Sequence, residues 1–139
     1  MKKTILTIVF ALAFIVFASA QKVYTVTGDT IQGAETVNFT AIQSSSSSGT
    51  VAFQALCTEL GGTSEGTFIW QGSVDGISFV TITQIDGKFD FYPNDTLTIA
   101  DAAVQTLLVT GSPFNYYRGQ GAGAASDTTL VSIVYSPKR

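Results

Sequence analysis

Histidine is absent from all 139 residues, which narrows the chemistry open to this chain. Without imidazole there is no Ser-His-Asp or Cys-His nucleophile, no histidine-bearing zinc site and no general base poised near neutral pH. The ten carboxylates (Asp29, Glu35, Glu59, Glu65, Asp75, Asp86, Asp90, Asp95, Asp101 and Asp127) sit almost entirely in turn-like stretches, where an acid serves its own backbone. Paired-carboxylate hydrolysis needs two acids facing each other across a cleft. Gly119-Gln120-Gly121-Ala122-Gly123 lacks the helix and the lysine of a phosphate cradle, and reads as a flexible strand edge. The residues predict no enzyme and no cofactor.

Side chains that bind rather than react are present. Tyr116, Tyr117, Arg118 and Tyr92 are the candidate ligand-binding set. On a strand, neighbours point to opposite faces, so one of Tyr116 and Tyr117 packs inward while the other faces solvent. Aromatic faces stack on sugar rings, and Arg118 can pair with a turn carboxylate or meet a ligand. Trp70 shares a strand face with Phe68 and reads as core. Asp86, Asp90 and Asp95 form a weak calcium candidate, since a hard cation wants several oxygens from one turned loop. Their spacing does not match an EF-hand, and solvated turn acids are the simpler reading.

The elements that must hold these residues begin after an export signal. Lys2 and Lys3 form a basic start, residues 5–17 are apolar, and Ala18-Ser19-Ala20 is a small-residue cleavage site of bacterial type, so cleavage after Ala20 is expected. That leaves residues 21–139 as one secreted or cell-surface domain. The whole chain carries a net charge of −3, and loss of Lys2 and Lys3 leaves five basic against ten acidic side chains, a net of −5. Nucleic acid and anionic membrane are poor partners for such a surface. The single cysteine, Cys57, allows no intrachain disulfide and falls in the alternating run Val51, Phe53, Ala55, Cys57, so it reads as a buried small hydrophobe.

Beyond residue 20 the pattern has period two. Residues 67–71 and 77–83 read as a hairpin across the turn-forming run 72–76, with Asp75 bonding forward and Gly76 free to take a positive φ. Residues 36–42, 50–60, 96–100, 105–110 and 128–136 are further strands, residues 28–33 a turn, residues 86–95 a loop folded over one end of the core, and residues 119–126 a loop or bulge. Asp101–Thr106 could form one helical turn. Val23, Tyr24 and Val26 mark a terminal strand that either pairs in its own sheet or is lent to a neighbour. Eight or nine short strands in regular succession predict an all-β, antiparallel, jelly-roll-like β-sandwich.

The segment Trp70-Gln71-Gly72-Ser73-Val74-Asp75-Gly76-Ile77-Ser78-Phe79, with a Tyr-Arg pair on a late strand, resembles the hairpin of discoidin-like domains. Similar modules occur in β-sandwich proteins of bacterial surfaces and phage virions. The resemblance implies a jelly roll whose end loops bind glycans, lipids or a protein; the terminal cysteine pair usual in discoidin domains is missing. The expectation is therefore a secreted, non-catalytic β-sandwich with a structural or adhesive role, its partner another protein or itself. The alternative is a carbohydrate-binding module that uses exposed aromatics.

Overall fold

The computed structural model describes residues 24–44, 50–62, 65–84, 88–124 and 128–137. The stretch expected as an export signal, Val23, Asp86 and most of the serine tract lie outside these residues, as does the side chain of Val26. The described residues form eleven strand segments: β1 (Tyr24–Gln32), β2 (Thr36–Asn38), β3 (Ile42–Gln43), β4 (Thr50–Gly61), β5 (Gly66–Ser73), β6 (Val80–Thr81), β7 (Phe89–Tyr92), β8 (Thr96–Thr98), β9 (Val104–Thr110), β10 (Tyr116–Gly123) and β11 (Thr128–Pro137).

All pairings are antiparallel and nest as a doubled-over hairpin. β1 pairs β11, β2 and β3 pair β10, β4 pairs β9, and β5 pairs β6 and β8. Lateral pairing of β11 with β4 and of β10 with β5 closes this ribbon into two sheets. One has the order β1-β11-β4-β9-β7; the other has β10 and β5 at its centre and broken edges on either side. This is the jelly roll expected from the sequence, with β7 added as an edge strand on the first sheet.

Alternation builds the core. Phe53 and Ala55 of β4 and Val131 and Ile133 of β11 face Phe68 and Trp70 of β5 and Tyr117 of β10, all buried. Phe53 is the hub, its ring centroid 4.9 Å from Tyr117, 5.5 Å from Trp70 and 6.0 Å from Tyr135. Phe68 meets Trp70 edge-on at 5.2 Å and Phe39 at 5.9 Å. Aromatic pairs of this kind add about 0.5–1.5 kcal/mol each beyond the area they bury.

Several sequence expectations are corrected by the sheets. The stretch expected as a loop at 119–126 is, through Gly123, the larger part of a central strand. Its core-facing positions are glycines because larger neighbours fill the space: a Cβ at Gly119 would stand 2.5 Å from Cε2 and Cζ of Phe68, and one at Gly121 would collide with Cδ1 of Ile31. Glycine here leaves room for a ring, and the strand it belongs to is well paired. The loop expected at 86–95 contains β7, whose Phe89 and Phe91 are buried while Asp90 and Tyr92 point out. The turn expected at 28–33 is mostly strand, since β1 absorbs its irregularity in a bulge between Val26 and Asp29. The strand expected at 36–42 breaks in two, with Ala41 exposed and Ile42 taking the inward position. At Asp101–Thr106 a turn with Ala102 at φ 57° leads directly into β9, so no helical turn forms.

Candidate functional site

The connection expected over residues 72–76 is longer than its sequence suggests. Register pairs Gln71 with Thr81 and Gly72 with Val80, so seven residues, from Ser73 at the end of β5 to Phe79, lie beyond the last pair of the β5–β6 ladder, and the second strand is only Val80–Thr81. Asp75 organises this loop. Its Oδ1 accepts from the amides of Ile77 and Ser78, each at 2.9 Å, and from the Ser73 hydroxyl at 2.8 Å, while Ser73 Oγ accepts from the Gly76 amide at 2.9 Å. The backbone amides of Ser78 and then Ile77, with the Ser73 hydroxyl, hold the Asp75 carboxyl down at about 2. Gly76 has φ +76° and lies over the ring of Tyr116, where an added Cβ would stand 3.3 Å from Cε1, Cε2 and Cζ alike. Asn115 ties the far side, donating from its amide to Ser73 O at 3.0 Å and from Nδ2 to Val74 O at 3.1 Å.

So fixed, the loop lays Phe79 over the outer face of the β10–β5 sheet. There Arg118 stands directly opposite Gln71 in the ladder. Arg118 Nε donates to Gln71 Oε1 at 2.8 Å, and its guanidinium carbon is 4.0 Å from the centroid of Phe79. Gln71 points outward by alternation yet is buried. The group supplies oriented donors and apolar surface.

The four candidate ligand residues do not converge. Tyr116 and Arg118 share this outer face. Tyr117 is 1% exposed, its hydroxyl donating to Phe114 O at 3.2 Å and its phenol pushed up by burial, so it belongs to the core. Tyr92, 60% exposed, faces out from β7 of the other sheet. No common aromatic platform exists among them: one is buried, one lies beneath Gly76, and the third is on the opposite side of the sandwich. Of the calcium candidates, Asp90 points out from β7, Asp95 lies between β7 and β8, and Asp86 is outside the described residues; among the described residues no three acidic or thiol groups gather as metal ligands. Tyr24 pairs within its own sheet, opposite Tyr135, and stacks on that ring at 4.9 Å.

Sequence reasoning missed a second surface, the outer face of the β11-β4-β9-β7 region. Alternation points Ala52, Gln54, Leu56 and Thr58 of β4 outward, with Val104, Thr106 and Leu108 of β9 and Leu130, Ser132 and Val134 of β11. Leu56 and Val104 are register partners, 41% and 39% exposed. Among the described residues Asp90 is the only charged side chain on these outward rows, and it stands at the β7 edge. A depression of about 240 Å³ lies across this region, lined by Ala52, Phe53, Gln54, Thr106, Val134, Tyr135 and Ser136. The signal was available in part: Leu56, Val104 and Leu108 fall on the polar phase of their own alternation.

No family model matches the chain, the discoidin-like one included, and no curated protein matches it in sequence. Among solved structures it is similar to the PBSX exported protein XepA, with a TM-score of 0.55 at 12% identity, covering 84% of this chain and 36% of that one. A structure from Bacillus endospore appendages, described as a novel family of disulfide-linked pili, covers 88% of this chain and 96% of its own at 13% identity, but its TM-score of 0.37 is below that of a shared fold. The chain thus spans about a third of XepA, and what the two have in common is the sandwich.

Proposed function

We propose that this chain is an exported, non-catalytic jelly-roll subunit that works by assembling with further copies of itself, as part of a surface layer, filament or similar particle. The observation that carries the reading is the outer face of the five-stranded sheet. Two copies of an acidic chain repel each other wherever carboxylates meet, and on β11, β4, β9 and β7 this face offers Leu56, Val104, Leu108, Leu130 and Val134, with Asp90 at the β7 edge the one charge on their described outward rows. Strands about 4.8 Å apart rising about 3.3 Å per residue give five strands averaging at least about seven residues roughly 550 Å² of flat area. Two such faces together reach about 1,100 Å², the size at which specific interfaces begin. Export of a protein with the same sandwich, XepA, is a fold-level analogy that points the same way.

Light scattering across a concentration series tests this. The protein is expected to form oligomers that dissociate on dilution, and Leu56→Glu to be monomeric with an unchanged circular dichroism spectrum. A wild-type protein that stays monomeric at high concentration, or a Leu56→Glu variant that assembles normally, would sink the reading.

A further inference from the structure

We propose that Arg118 is the centre of a binding site for a single carboxylate, an Asp or Glu side chain that a protein partner presents within an apolar segment. The site lies on the face opposite the one invoked for assembly and does not depend on that reading. Arginine has five N–H donors. Here Nε is taken by Gln71 Oε1 and one face of the guanidinium by Phe79, so the side chain is held in one orientation from two directions. The remaining Nη edge has no hydrogen-bond or ion-pair partner among the described residues, and neither Nη is a sealed, partnerless atom. The acid of the neighbouring loop, Asp75, spends its Oδ1 on Ser73, Ile77 and Ser78. An ordered, half-buried guanidinium with its fork unspent matches a carboxylate bidentately, and little further ordering is needed on binding.

The surroundings select the carrier. The loop that holds Phe79 exposes Ile77 at 84% and Val74 at 60%, apolar side chains that an interface partner would cover, and such cover shuts water out around a charged anchor. A sugar would want open aromatic faces, and here Arg118 covers one face of Phe79 while Gly76 covers one face of Tyr116. A polyuronate would also bring one negative charge per residue to a chain that is already net negative. One acid among apolar residues meets neither objection.

Arg118 and Arg139 are the only arginines, so the Nε–H region of a nitrogen-15 spectrum holds two signals, and Arg118→Lys assigns them. The labelled protein is titrated with acetyl-valyl-glutamyl-valine amide, with the glutaminyl analogue, and with galacturonate. The glutamyl peptide is expected to shift the Arg118 Nε–H and the Gln71 side-chain amide saturably, and to bind about tenfold or more tightly than the glutaminyl one, since charge-assisted bonds are about twice as strong as neutral ones. Arg118→Lys is expected to abolish the response. Equal responses to the two peptides, or no saturable shift, would overturn the proposal. Saturation by galacturonate at lower concentration than by the glutamyl peptide would transfer the site to an acidic sugar and overturn the assignment to protein. Should Arg118→Lys fail to fold, the peptide pair on the unmodified protein still decides.

Discussion

Replacing Gly119 by alanine sets two opposed effects against each other, and the packing of β10 decides the sign. Gly119 is not in the left-handed region, so alanine can take its backbone, and the lost freedom of the unfolded chain alone would stabilise by about 0.4–1 kcal/mol. Against this, the methyl would stand 2.5 Å from Cε2 and Cζ of Phe68 and 3.1 Å from Cδ1 of Ile133. Phe68 has little room to yield, being fully buried between Trp70 and Phe39. Overpacking a filled core costs about 1–3 kcal/mol, so the net is a loss of about 1–2 kcal/mol. With an unfolding entropy near 2.1 cal/mol/K per residue, that lowers the Tm of a domain this size by about 4–8 °C. Urea unfolding followed by fluorescence of the single tryptophan, Trp70, measures it directly. The same substitution in a Phe68→Leu background isolates the cause, because leucine lacks the ring atoms that the methyl strikes. Its cost there should fall by about 1 kcal/mol, within the range of coupling between touching residues. A Gly119→Ala protein as stable as the parent, or an equal cost in both backgrounds, would refute the view that these glycines exist to admit the rings.

Acid should loosen the 73–79 loop ahead of the core. The Asp75 carboxyl titrates at about 2 in the fold against an ordinary 3.8, so its ionised form favours the folded loop; the contribution is complete above about pH 5 and is lost as pH falls from about 4 through 2. Hydrogen exchange at the amides of Ile77 and Ser78 should show protection fading over that window, and Asp75→Ala should lack it at every pH; protection that persists unchanged at pH 2 would contradict this. Phe53→Ala removes the ring shared by Trp70, Tyr117 and Tyr135 and should cost about 3–5 kcal/mol, a large part of an ordinary domain's stability. Near-ultraviolet circular dichroism and the Tm report it, and a Tm within a few degrees of the parent would show that the rings are not packed as described.

Period-two alternation was enough to read the all-β class, the inward set Val51, Phe53, Ala55, Cys57 and the pairing of Phe68 with Trp70 on one face, because burial of one side of a strand is written into every second residue. The local chemistry of the 73–79 loop was equally legible: Asp75 bonds forward and Gly76 takes its positive φ, both within a few residues of chain. What could not be read depends on partners distant in sequence. Gln71 and Arg118 lie 47 positions apart and meet only because β5 pairs β10; Gly119 and Gly121 look like a loop until Phe68 and Ile31 arrive from other strands to fill their places. Nor does the chain say which outward rows fall side by side, so Leu56, Val104, Leu130 and Val134 become one surface only in the register of three strands. Side-chain phase is a property of a strand, whereas a surface is a property of strand order, and that order is set by the nesting of the whole ribbon.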